Sequence, residues 1–136
     1  MNTAVLDASV VCKWFDEVDE RHVDEARQLR SAYAAGDLVV LAPPLVRIEV
    51  LHALSRRARY TEGALASLAA GLDELRFDLI DAEMARVALW VGRGLSAYDA
   101  SYVALAEREG LPFVTDDAAI LRTAPGIAVA LDDVPV

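Results

Sequence analysis

Five acidic residues stand at positions from which this chain could do chemistry. Asp7 ends an apolar run in Val5-Leu6-Asp7-Ala8-Ser9, and Asp116 and Asp117 end another in Val114-Thr115-Asp116-Asp117. Asp99 lies in the first turn of a helical segment opened by Ser96. Glu49 interrupts the apolar residues Leu45, Ile48, Val50 and Leu51. Each has an ordinary use. Asp7 ends a strand or caps the next helix, and Asp117 is a natural N-cap. Ser96-x-x-Asp99 resembles a capping box, and Glu49 shares a helix face with His52 and Arg56. The joint pattern resists that explanation, because carboxylates a few ångströms apart raise each other's pKa. A cation relieves the repulsion, and all-oxygen donors favour a hard ion such as Mg²⁺ or Mn²⁺. Cys12, His22 and His52 are too few for a Cys/His zinc site.

Short apolar runs alternate with longer helical patterns, which predicts βαβ units and a parallel sheet. Strands are expected near 3–7, 38–42, 77–80, 112–115 and 127–131. The acidic stretch 16–20 leads into a helix that ends near 35. Other helices are expected at 9–15, from Pro43-Pro44 to about 60, at 61–75, from a cap at Asp81 to 92–94, at 96–109 and at 117–124. Beyond the carboxyl ends of such strands an open α/β sheet binds its ligands. Asp7, Asp99, Asp116 and Asp117 all fall there.

The chain has 136 residues, 55% of them hydrophobic, which fits one domain over 1–136 with a real core. A single cysteine fits a reducing compartment. The longest uncharged run, 63–72, is too short to span a membrane, and no leader pattern opens the chain, so a cytoplasmic protein is expected. The formal charge of −9 argues against non-specific nucleic-acid binding. Much of it lies at 16–25, whereas 38–80 is balanced. Arg56, Arg57 and Arg59, with Tyr60 beside them, are either a possible RNA contact or a solvated helix end.

Four motifs in order resemble the PIN-domain nucleases, and within them the VapC-type ribonuclease toxins of type II toxin–antitoxin systems. They are Val5-Leu6-Asp7-Ala8-Ser9-Val10 with Lys13-Trp14-Phe15; Ala42-Pro43-Pro44 leading to Glu49-Val50 and Ala53-Leu54; the stretch from Leu95-Ser96-Ala97-Tyr98-Asp99 to Ala106; and Thr115-x-Asp117. The resemblance implies a three-layer α/β/α sandwich around a five-stranded parallel sheet. It implies metal-dependent hydrolysis of RNA to 5′-phosphate and 3′-hydroxyl ends. It assigns Asp7, Glu49, Asp99 and Asp117 to the family's acidic positions, with Ser9 and Thr115 in support.

Asp7 and Asp99 are then the best metal ligands, Asp117 completes the site, and Glu49 serves as general base or holds a second ion. Asp116 fills the variable position and either replaces Asp117 or faces solvent. Where the family often has Asn, this chain has His52, for which a structural role is expected. The resemblance also implies a homodimer and a cognate VapB-like antitoxin, with some of the apolar surface of Trp14, Phe15, Trp90 and the 61–75 helix as a partner site. A receiver-like domain would need a late lysine, and Lys13 is the only one. A haloacid-dehalogenase-like phosphatase would need a second Asp at Ser9. The alternatives left are a PIN-type RNA-processing nuclease and an inactive PIN-like binding module.

Overall fold

The computed structural model describes residues 2–16 and 21–134, so most of the acidic stretch 16–20 lies outside it. Five parallel strands form the sheet: β1 (Thr3–Leu6), β2 (Val39–Ala42), β3 (Asp78–Leu79), β4 (Phe113–Thr115) and β5 (Ala128–Ala130). Their order is β3-β2-β1-β4-β5. Seven helices complete the fold among the described residues: α1 (Ala8–Phe15), α2 (Val23–Ala34), α3 (Val46–Arg57), α4 (Glu62–Asp73), α5 (Met84–Gly92), α6 (Ala97–Glu109) and α7 (Ala118–Thr123). A 3₁₀ turn at Leu131–Asp133 follows β5. This is the expected α/β/α architecture.

The physical reason lies in the strands. Ala4, Val5 and Leu6 are fully buried, as in a parallel strand covered on both faces. α1 packs on α2 and α3, while α5 packs on α6, and α6 lies against β1 and β4. Connections on the two sides of β1 run in opposite directions, and near-universal right-handed crossovers place the two helical groups on opposite faces. The place where the connections diverge, between β1 and β4, is the switch point of the sheet. There Val5 pairs with Phe113 and Leu6 with Val114.

Aromatic rings lock this centre. Tyr102 of α6 stacks on Phe113 of β4 with centroids 5.6 Å apart. Trp14 packs against Tyr33 and Phe77, and its indole N–H donates to the Ala26 carbonyl at 3.0 Å. Trp90 is also buried, and its N–H donates to Glu107 Oε1 at 3.2 Å, tying α5 to α6. Trp14 and Trp90 therefore build the core and offer no partner surface. Phe15 is partly buried and lies so close to Gly71 of α4 that a Cβ there would sit 2.9 Å from its ring. Cys12 is buried under α3, with its thiol pushed up to about 11 by burial.

Three boundaries differ from the sequence expectation. Pro43 and Pro44 precede α3 rather than open it. They form a turn in which the Pro43 carbonyl accepts from Val46 N–H, and the helix then ends at Arg57. α5 starts at Met84 after Glu83, not after a cap at Asp81. β3 is only two residues long, as befits an edge strand with one neighbour. No helix among the described residues is long and apolar enough to cross a membrane.

Candidate active site

The carboxyl ends of β1 and β4 open into a cleft of about 780 Å³. Asp7, Ser9, Glu49, Asp99, Asp116 and Asp117 all line it, so every acidic candidate from the sequence meets at one place. The positioning is local chemistry throughout. Asp7 is the N-cap of α1 and accepts a long 3.5 Å bond from Ser9 N–H. Ser96 caps α6 through Asp99 N–H at 3.1 Å, which places Asp99 in the first turn. Asp117 caps α7 through Ala119 and Ile120 N–H at 2.8 and 3.2 Å. The capping readings and the site reading are thus compatible: caps deliver carboxylates to the strand ends.

Thr115 joins two of these groups. Its buried hydroxyl accepts from Asp117 N–H at 3.0 Å and donates to Asp7 Oδ2 at 2.6 Å. Replacing it with Val keeps the shape but strips Asp7 of a donor and orphans a backbone N–H. Thr115→Val is expected to weaken divalent-ion binding by roughly 10–100-fold, as loss of a supporting bond to a ligand does. It should also cost about 1–3 kcal/mol of stability. Mn²⁺ titration and thermal unfolding check this, and unchanged affinity would refute the supporting role.

The site is electrostatically unfavourable as a set of bare carboxylates. Asp7 is only 8% exposed, and burial raises its pKa against the Thr115 bond that lowers it; the Asp99 charge raises it further. Burial also raises Glu49, opposed by the Tyr102 hydroxyl, which donates to Oε1 at 3.1 Å; Asp7 and Asp99 add to the rise. Asp99 is raised by burial and by Asp117, against its Ser96 partner. The Ser9 hydroxyl stands close enough to Asp7 to favour its charged form, yet it completes no hydrogen bond and is a buried orphan.

Oxygen donors, mutual repulsion and an orphan hydroxyl fit a hard divalent cation. Among the described residues no three acidic, His or Cys side chains already converge at one point, so side-chain rotation must complete any coordination. Asp7, anchored by Thr115, is the fixed element.

The remaining candidates divide. Arg56, Arg57 and Arg59 are exposed at the end of α3 and do not line the cleft. The Tyr60 hydroxyl donates to Asp16. His52 is exposed on the cleft wall. Sequence reasoning missed Arg21, Ile48 and Tyr98 on the wall, the last two 63% and 60% exposed. It also missed Tyr102 beneath Glu49 and the Lys13 and His22 contacts to Asp116. Ile48 and Tyr98 could have been found from their places beside Glu49 and Asp99.

Fold and cleft define the class: an α/β/α protein with an acidic cleft at the switch point of a parallel sheet. Residues 4–125 match the PIN domain, and the chain belongs to that family, whose members are generally metal-dependent nucleases. The crystal structure of PAE2754 from Pyrobaculum aerophilum is similar over 97% of this chain and 92% of that one, at 28% identity and a TM-score of 0.67. A chain in the structure of FitAB bound to an IR36 DNA fragment is similar over 98% of both chains, with 13% identity and a TM-score of 0.64, a likeness of fold. No curated protein matches.

Proposed function

We propose that the chain, as one domain over 1–136, is a Mg²⁺-dependent endoribonuclease that also accepts Mn²⁺. We further propose that it is the toxin of a type II toxin–antitoxin system, acting in the cytoplasm and restrained by a VapB-like antitoxin. The observation that carries the nuclease reading is the cleft itself, where Asp99 raises the pKa of Asp7, both of them raise that of Glu49, and Asp117 raises that of Asp99. Such an arrangement is unstable without a cation.

In this reading Asp7, Asp99 and Asp117 hold the ion. When bound, it neutralises the phosphodiester and the charge developing on the leaving oxygen. Glu49, its pKa raised by burial and its carboxylate oriented by Tyr102, takes the proton of the attacking water. Arg21 adds positive charge to the wall, and the exposed Tyr98 ring offers a face to an unpaired base. Arg56, Arg57 and Arg59 lie outside the cleft and engage flanking RNA phosphates. Acidity elsewhere keeps non-specific binding weak, so phosphate contact depends on the metal. The four-motif resemblance supports RNA as substrate and the toxin role. Exposed Met84, Leu89 and Val91 on α5 support a homodimer.

The test uses purified protein and structured RNA, with Mg²⁺ or with chelator, beside Asp7→Asn. Cleavage by the wild type with Mg²⁺ alone supports the nuclease reading, and equal cleavage in all three arms refutes it. Expression without any partner tests the toxin reading, which fails if growth is unaffected.

A further inference from the structure

Asp116 and Asp117 are adjacent and both line the cleft, but only Asp116 has both oxygens engaged by charged or ring partners. Its Oδ1 lies 2.9 Å from His22 Nδ1, and its Oδ2 lies 3.6 Å from Lys13 Nζ. Lys13 is 3% exposed, a depth at which an ammonium requires a counter-charge. A carboxylate only accepts, so the His22 hydrogen stands on Nδ1, while Nε2 lies 3.7 Å from Asp132.

His22 has a further peculiarity. Its φ of 56° puts it in the left-handed region, the only described residue other than glycine to do so. It occupies the N-cap position of α2, yet its side chain makes no capping bond. Such a backbone persists where its surroundings over-determine it, and the tie to Asp116 is such a constraint. Asp117 is committed differently. Its Oδ1 receives both capping bonds, and its Oδ2 accepts no hydrogen bond among the described residues.

We propose that Lys13 and His22 are positioning residues that lock Asp116 into an internal ion pair and so leave Asp117 as the member of the tandem that reaches the cation. The inference rests on the reading of the cleft as a divalent-ion site. To reach a cation, Asp116 would have to give up its contacts to both His22 and Lys13.

Mn²⁺ affinity of the full chain, followed by the spin-resonance signal of free Mn²⁺ without RNA, provides the test. Asp117→Asn is expected to weaken binding at least about tenfold and Asp116→Asn by no more than about threefold, the divide between a ligand and a group that only supports one. Lys13→Met can fail to fold, so His22→Gly carries the positioning arm; glycine accepts the left-handed backbone freely. His22→Gly is expected to change Mn²⁺ binding little in the wild-type background and to recover several-fold of the affinity lost in Asp117→Asn, because the released Asp116 can then reach the cation, a non-additivity that a purely structural role would not produce.

A tenfold loss in Asp116→Asn overturns the proposal, as does the absence of any recovery when His22→Gly is added to Asp117→Asn. A wild type that binds no Mn²⁺ overturns it together with the cation site. Mn²⁺ binding with no RNA cleavage overturns the nuclease reading alone.

Discussion

Asp7→Asn is expected to abolish RNA cleavage while raising the melting temperature of the metal-free protein. The two effects share one cause. Asp7 is the most buried of the cleft carboxylates, and burial together with Asp99 raises its pKa. At neutral pH the folded protein therefore bears the cost of an ionised group in a site that disfavours it. Asparagine keeps the shape, caps a helix as well as aspartate, and still accepts from Thr115. It removes the charge, and with it the anchored ligand of the cation. Loss of activity should exceed the roughly 100-fold typical of lost supporting groups. Each kcal/mol of stability gained moves Tm by roughly 3–5 °C at this chain length. Cleavage assays and calorimetry in chelator check both halves. Retained activity, or a lower Tm in the variant, would contradict this account.

The second large effect is a stability that falls as pH rises, reversed by metal. Asp7, Glu49 and Asp99 have folded pKa values above their ordinary values of 3.8, 4.5 and 3.8. As pH rises through the ordinary values, the unfolded chain loses protons that the folded chain keeps. The folded state then binds more protons, so stability falls until pH passes the raised values and levels off above them. In chelator the protein should melt higher in mild acid than at neutral pH, and Asp7→Asn should flatten the slope. The flattening separates the site from the general relief of a −9 charge. Saturating divalent ion at neutral pH should reverse the loss, by about 2.7 kcal/mol at a hundred times its Kd. The gain should vanish in acid, since the ligands must be ionised. A Tm that does not change with pH in chelator, or does not respond to Mg²⁺ and Mn²⁺, would contradict the electrostatic description.

The sequence made the strand ends legible because apolar runs terminate sharply at Asp7 and Thr115, and caps are encoded locally. It made the acidic cluster legible because helix starts and strand ends converge in a parallel sheet. Other features depend on distant partners. Lys13 reads as one polar residue in a short helix, and its contact with Asp116, 103 positions on, is not encoded nearby. His22 reads as part of the start of the helix that follows 16–20, because a positive φ has no signature in a histidine. The Pro43-Pro44 pair signals a helix start, but whether it lies inside the first turn or ahead of it depends on how β2 delivers the chain. Trp14 and Trp90 look like partner surface in isolation because large aromatics serve cores and interfaces alike. The two tandem acids were equivalent by composition. They are distinguished by which one meets an ammonium and which caps a helix.

The Thr115–Asp7 bond spans 108 positions of chain. During synthesis β1 emerges first and gains β2 early, but β4, which completes its other edge, comes near the end. At 5–20 residues per second, Asp7 waits roughly 5–22 s for the residue that fixes it. Until then the nascent polypeptide lacks the side of the cleft that Thr115, Asp116 and Asp117 supply. Completion of the fourth strand is thus the moment at which the acidic cleft is assembled.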